Sequence, residues 1–441
     1  MQDRPMMPPP AETTDLDVLV IGAGPAGGTL AATLATAGLS VAVVDAQALP
    51  PMELPAFDGR AYAIAAGSRN LLAAAGLWEL LPETPCPITG IDVTDGRPGE
   101  RPSRLRLRFD AAGMGEEAFG WMVEARSLRV ALNARLAGLP HLRVLAPMTA
   151  TLERGAEGVV ARLSDGSVIR ARLAVSAEGR RSALRGGAGI GAARLDYRTS
   201  GIVCAIAHER PHDGTALEAF LPNGPFAQLP LADASPEGEG ERSEAAREGF
   251  PHASAIVWSE RGDLAPHFMA MPPDAFAREV TRRMGEHLGR VKLVGGRWSY
   301  PLSALQAMRF VDTRLALVGD AAHGIHPIAG QGLNVGLRDV AALAELVIAA
   351  RAAGEDVGGP ALLAAYQAAR RPDSLMMLGA THALERLFGN DIAPIRIARR
   401  LGIAAVDRIP PLKAFFARQA MGLGGGAASS LLAGRGILPT G

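Results

Sequence analysis

Two glycine-framed turns carry the residue types and spacings that could do chemistry. In the first, Gly22, Gly24 and Gly27 follow the apolar run LDVLVI and open an Ala/Leu/Thr-rich stretch. Between a strand and a helix, the first glycine of such a set permits a tight turn. The second lets backbone approach a pyrophosphate, and the third lets the helix pack on the strand. Asp45 closes the next apolar run, VAVV, 21 positions beyond Gly24, where a carboxylate can accept hydrogen bonds from a ribose. In an ordinary sheet the spacing is only a glycine-rich turn; the flanking strand, helix and carboxylate favour a dinucleotide. The second turn is GDAAHGIHPIAGQGLNVGL, residues 319–337. Gly319 and Asp320 end the apolar run RLALVG, and several glycines gather at the start of an alanine-rich helix. A helix start offers unpaired N–H donors and the positive end of a dipole, so this turn is predicted to receive an electron-rich body.

Other candidates carry less on their own. Arg60, where a loop becomes an amphipathic helix, reads equally as a solvated charge or as a phosphate clamp with a planar fork of donors. Glu178-Gly179 stands between a strand end and a helix start in SAEGRRSALR, with Ser182 placed to cap the helix. The second GxGxxG-like run, GAGIGA, follows a helical stretch rather than a strand and reads as a loop. His323 and His326 stand three apart without accompanying carboxylate or cysteine ligands, so no metal is expected.

The elements that must hold these residues follow from pattern and composition. The chain has 441 residues, enough for more than one domain. Its 45 basic and 45 acidic residues give no electrostatic case for a nucleic-acid partner. Cys86 and Cys204 form no CxxC pair, which fits buried thiols in a reducing compartment. The opening MQDRPMMPPPAETTD lacks an apolar core, so it reads as a loose leader rather than a secretory signal. From Val18 to Val44 no residue is charged, yet the internal order of strand, Gly-Pro turn, helix, Gly38 and strand marks a buried βαβ unit rather than a membrane span. Residues 124–139 have helical period, and 159–175 alternate about Asp165-Gly166 as a hairpin. From about Arg198 to Pro301 short β-like pieces imply a separate sheet. Within it, 234–249 reads as an exposed flexible loop, and 341–370 reads as packed helices.

Taken together, GAGPAG with Asp45, AEGRRSALR and GDAAHGIHPIAGQGLNVGLRD resemble the FAD-dependent aromatic hydroxylases of the para-hydroxybenzoate hydroxylase fold. DGRAYAIAAGS, GPFAQLPL and the tail ERLFGNDIAP with VDRIPPLKAFFARQAMGL are most similar to the ubiquinone-biosynthesis branch. The resemblance implies an α/β fold. A Rossmann-like FAD-binding domain (15–190, resumed at 304–360) is interrupted by a β-sheet substrate domain (191–303), and a C-terminal helical extension (361–441) follows. It also implies residue roles. Gly22, Gly24, Gly27 and Asp45 hold the dinucleotide, and Gly319 and Asp320 the ribityl chain. The turn of Pro327, Gly330 and Gly332 lies beside the flavin ring, with backbone at Leu333 and Asn334 at its pyrimidine edge. Arg60 and Arg126 become flavin or pyrophosphate contacts, and His326 with Pro327 marks the flavin face. Where the family has Asp, this chain has Glu178, which keeps the carboxylate near the cofactor with one more methylene.

The implied reaction is hydroxylation of the aromatic ring of a prenylated phenol in ubiquinone biosynthesis. Molecular oxygen would act through a flavin hydroperoxide, with NADPH, NADH or another electron donor reducing FAD. No protein nucleophile is required. The alternatives are a monooxygenase of a soluble aromatic, a prenyl-chain reductase on the same scaffold, or an FAD-dependent sensor. Phe220, Phe226 and Leu229 are candidates for the substrate cavity wall or for plain core, and Gln228 for a contact to the phenol. Phe415 and Phe416 beside Lys413 and Arg418 suggest a segment that rests on a membrane surface, joins a quinone-biosynthesis complex, or packs on its own domain. The expected location is cytoplasmic, with peripheral contact at the inner membrane.

Overall fold

The computed structural model describes residues 14–49, 57–100, 106–325, 330–388, 402, 406–422 and 429–436. Its first sheet has the order β17-β18-β11-β1-β2-β8. These are Val311–Asp312, Leu315–Leu317, Val168–Ser176, Thr14–Ile21, Val41–Val44 and Leu142–Leu145. The strands from β18 to β8 run parallel. Their apolar runs are buried on both faces, as a parallel sheet requires. Helices α1 (Pro25–Thr36), α3 (Ala125–Ala137) and α8 (Gln331–Ala352) cover one face through Leu30, Leu34, Leu128, Leu132, Val340 and Leu343. An antiparallel ribbon, β9 (Ala150–Arg154) with β10 (Val159–Leu163), continues from β11, and Leu152, Ala161 and Leu163 pack with Leu19 and Ala42.

The second sheet runs β19-β16-β12-β15-β14-β13-β5-β6. Its strands are His323–Gly324, Val291–Ala307, Ala192–His208, His252–Arg261, Gly224–Leu231, Thr215–Leu221, Gly90–Asp95 and Leu107–Asp110. Helices α6 (Ala265–Ala270) and α7 (Pro273–Met284) close its far face around Trp258, Phe268 and Phe276. Between the two bodies lies a three-stranded sheet of β3 (Ala61–Ala65), β7 (Gly120–Glu124) and β4 (Cys86–Ile88).

Two expectations need correction. The division at residue 190 treats the first stretch as one domain, but β5 and β6 leave it and pair into the second sheet. Likewise 234–249 is not a featureless loop. Residues Glu241–Arg247 form helix α5, which buries Ser243 and Ala245. Arg242 donates to the Ala232 carbonyl and to Glu124, and lies over the Phe57 ring. Composition read this segment as an exposed flexible loop because two of its anchors, Phe57 and Glu124, lie far away in the chain. The run Val18–Val44 is a βαβ unit, and no described helix is long and apolar enough to cross a membrane.

Candidate active site

At the end of β1 the three glycines divide their work. Gly22 has φ +105°, and a Cβ there would lie 2.5 Å from the Ala177 carbonyl oxygen. At Gly27 it would lie 2.0 Å from the Gly22 carbonyl oxygen. Gly24, in contrast, has nothing within 4 Å of that position. Two glycines are therefore demanded by the protein, and the third faces open space. Helix α1 starts there without a side-chain cap or an acidic first turn, so its orphan N–H groups await an outside acceptor. Asp45 sets the rim, accepting from the backbone N–H of Ala23 at 2.8 Å and of Gln47 at 2.9 Å. The cleft between them measures about 230 Å³ and includes Gly24, Asp45, Tyr62, Arg129 and Asn133. A larger hollow of about 760 Å³ sits by Asp15, Glu153 and Arg170, where β1 and β11 begin, and contains none of the site residues. Ligands of such sheets bind at the carboxyl ends, which favours the smaller cleft.

The Gly319-Asp320 turn is held from beneath. Asp339, fully buried on α8, accepts from the Gly319 N–H at 2.9 Å, pairs with His323 Nε2 at 2.6 Å, and accepts from Arg370 Nε at 2.8 Å. Burial works against its charge, but His323 and Arg370 hold its carboxyl below the usual carboxylate range. His323 thus serves a structural network. Asp320 keeps 45% of its side chain exposed and takes one bond, from Arg180 Nε at 3.1 Å. Arg180 also donates to the backbone and hydroxyl of Ser303, while Arg185 donates to the Ala321 carbonyl. Glu178 is occupied locally. Its Oε2 accepts from Ser176, Ser182 and the Leu184 N–H, and Ser182 caps the short helix Ala183–Gly187, here α4.

Gly330, at φ +65°, leads into α8, whose first turn again lacks a side-chain cap and an acid. A Cβ at Gly332 would meet nothing within 4 Å. Asn334 is buried and pins β3: it accepts from the Ala65 N–H at 2.9 Å and donates to the Ala63 carbonyl at 2.8 Å. The neighbouring Leu333 is half-buried and packs on the first core. His326 and Pro327 lie outside the described residues. Two open helix termini facing glycine cradles suit a group with phosphates at one end and a ring that gathers negative charge at the other.

Both arginines expected at the cofactor are paired with carboxylates of the chain. Arg60 pairs with Asp58 and stacks on Trp298, 4.6 Å from the ring centroid. Arg126 is drawn into Glu124, at 2.6 Å, and Glu83. Arg129, one helical turn on, lines the cleft instead. The sequence offered only its i, i+3 relation to Arg126 as a signal. Arg129→Ala is expected to weaken FAD binding about tenfold, the size of one charge-assisted contact, as read by fluorescence titration of stripped protein. An unchanged affinity would return the role to Arg126.

Strand register separates the four substrate candidates. In β14, Phe226 opposes Trp258, so it belongs to the far-face core under α6 and α7. Gln228, opposite Ile256, shares that face and donates to Ser254. Neither lines a space on the side of the first domain, because alternate strand residues point oppositely. Phe220 and Leu229 do point that way, Phe220 toward Phe109 and Phe119, and Leu229 toward Met122. Among the described residues, no cluster of three His, Cys, Asp or Glu could hold a metal.

Fold and site together define a dinucleotide-binding protein whose second open helix terminus is tied to β3. The FAD binding domain family matches residues 15–379. A ubiquinone hydroxylase of Rhodospirillum rubrum, UbiL, is 50% identical over 407 residues, spanning 92% of this chain and 89% of the relative. The 3-demethoxyubiquinol 3-hydroxylase of Escherichia coli is 31% identical, over 92% of this chain and 98% of that one. Among solved structures, pqsL of Pseudomonas aeruginosa, described as a probable FAD-dependent monooxygenase, shares the fold. Its TM-score is 0.70 at 22% identity, covering 88% of this chain and all of the other. The chain belongs to the FAD-dependent monooxygenases, within the family of the ubiquinone hydroxylases. It is an enzyme, and its cofactor is FAD.

Proposed function

We propose that this enzyme hydroxylates the aromatic ring of a prenylated phenol on the way to ubiquinone, with molecular oxygen as co-substrate and NADPH or NADH as electron source. One observation carries the substrate class. On the near face of the second sheet, Val203, Val257, Val93 and Trp298 stay partly accessible, Val257 and Val93 at the margins of packed clusters. They form a largely apolar row next to the Ala61 and Ala63 cluster of β3, and β3 is tied to the start of α8. An aromatic ring suits such walls, and α8 supplies backbone donors toward a reduced ring. FAD, when bound, supplies the activated oxygen; the chain positions the phenol and keeps water away. Asp320 would hold the ribityl chain, Gly24 and Asp45 the dinucleotide, and Arg60 the ring edge.

Deleting the gene and examining the lipid extract by mass spectrometry tests this reading. Ubiquinone is expected to fall while a prenylated phenol lacking a ring oxygen accumulates. An unchanged quinone pool, in a host without a redundant hydroxylase, would defeat it.

The C-terminal helix α10 (Pro410–Ala420) supports a lipid substrate. Ala417 and Met421 dock on Phe109, Phe119 and Phe220 at the sheet edge, while Ile409, Leu412, Phe415 and Phe416 stay exposed beside Lys413. Such a face rests on a membrane surface where prenylated substrates reside. Replacing Phe415 and Phe416 by Ser should cut co-sedimentation with anionic phospholipid vesicles at least severalfold and leave FAD content intact.

A further inference from the structure

The near face of the second sheet carries one ionisable side chain that the fold leaves unused. Following register across the strands, Trp298, Val203, Val257, Ala227, Glu218 and Val93 stand side by side. The adjacent row, with Ala205, Ala255 and Leu229, packs against Ala61 and Ala63 of β3 and Met122 of β7. On the other side Phe220 joins Phe109, Phe119 and Ala417. Glu218 keeps partial exposure in the row of Trp298, Val203, Val257 and Val93, with Val257 on the edge of the first cluster and Val93 on the edge of the second. Glu218 therefore stands in the same row as the apolar walls of the proposed ring site.

Its carboxyl has no hydrogen bond or ion pair among the described residues, and burial alone pushes it up to about 7. The neighbouring elements do not supply a counter-charge. Strand β14 carries no charged residue. On β5, Asp92 is engaged by Arg106 and Arg108, and Asp95 stands in the next row, beside Phe220. On α10, Lys413 pairs with Asp407, and Arg418 lies near the far end of that helix. His382 of α9 (Pro360–Phe388) lies against Tyr197. An unpaired carboxyl in apolar surroundings is costly to keep unless it meets a ligand.

We propose that Glu218 takes the phenolic proton of the substrate. The inference rests on the ring-hydroxylase reading above. The carboxylate accepts the proton from the phenol O–H, and the bonding pair stays on oxygen. The carbons ortho and para to it become more electron-rich, the state in which a ring is open to the oxygenation that bound FAD would support. The proton later leaves the carboxylic acid for solvent. A base that titrates near working pH is suited to this transfer.

The FAD-loaded enzyme would be assayed for hydroxylation of a short-chain 2-prenylphenol and of a fluorinated analogue whose hydroxyl ionises near neutrality. Wild-type turnover should rise with pH through about 7, where the carboxylate form appears. In Glu218→Gln, turnover of the prenylphenol should fall about a hundredfold, the lower range for a general base. That pH limb should vanish, FAD content should hold, and the defect should shrink on the acidic analogue. Glu218→Asp should recover part of the rate. Equal profiles for wild type and Glu218→Gln on both phenols would overturn the assignment. Absence of binding and turnover by the wild type would overturn the ring-hydroxylase reading instead.

Discussion

Gly27→Val is expected to yield protein that melts well below the wild type and carries no FAD. A Cβ at residue 27 would sit 2.0 Å from the Gly22 carbonyl oxygen and 2.7 Å from the Ala177 Cβ, both fixed by backbone. Relief requires α1 to lift from β1 and β11, which shifts the open N–H groups and the Gly24 face together. Overpacking of this kind costs about 1–3 kcal/mol or more, and misaims the donors as well. Flavin absorbance per mole of protein and a thermal melt would measure both effects. Gly24→Ala is the control. Its φ of −67° accepts a side chain, and the Cβ meets nothing within 4 Å. It should melt normally without cofactor while losing FAD affinity, because the methyl enters the ligand's space. Full affinity in Gly24→Ala would mean that the open space belongs to no cofactor.

Asp339→Ala should have the second large effect. It strips the Gly319 N–H, His323 and Arg370 of a shared buried acceptor. Arg370 keeps Asp373 at 2.8 Å, but Asp373 also serves Arg338. Removing one partner of a buried ion pair costs about 3–5 kcal/mol. The expected readout is a fall of several degrees or more in Tm, with weaker FAD retention because the Gly319-Asp320 turn loses its anchor. Asp339→Asn separates shape from charge. The carboxyl ionises below its usual range in the fold, so its contribution is complete above the unfolded value of about 4 and is lost as pH falls through the lowered one. Wild-type Tm should drop over that acid window, and the drop should be smaller in Asp339→Asn. Equal acid sensitivity would remove Asp339 from the account.

Both predictions stand on parts of the molecule that the sequence exposes unequally. The glycine turns were legible because each needs a residue type that little else can replace: positive φ at Gly22 and Gly330, and close approach at Gly27. The βαβ order and the return of the first sheet after residue 304 were legible from periodicity and from RLALVG. Partners distant in sequence were not. Asp339 reads as one acid in an alanine-rich helix, and nothing local ties it to Arg370 or Gly319. Arg129 and Arg126 look alike until the helix is phased against the cleft. Phe226 looked like cavity wall and Gln228 like a contact to the phenol because GPFAQLPL is apolar almost throughout, so composition could not tell one face of β14 from the other. The same limit hid Glu218, whose position becomes meaningful only when six strands are laid in register.

The interleaving of the two sheets governs how the chain is made as well as how it works. Strand β11, the partner of β1, lies about 150 residues downstream of it, and β18 is added only after every strand of the second sheet but β19 has been translated. The helix termini at residues 25 and 331 cannot face one cofactor until both exist. Long-range closure of this sort is slow and leaves apolar strand edges uncovered while synthesis proceeds. FAD binds only the finished arrangement, so it drives the last assembly step by mass action. The yield of folded enzyme in a cell therefore follows the free flavin supply during translation, and a shortage would appear first as lost protein rather than as slow catalyst.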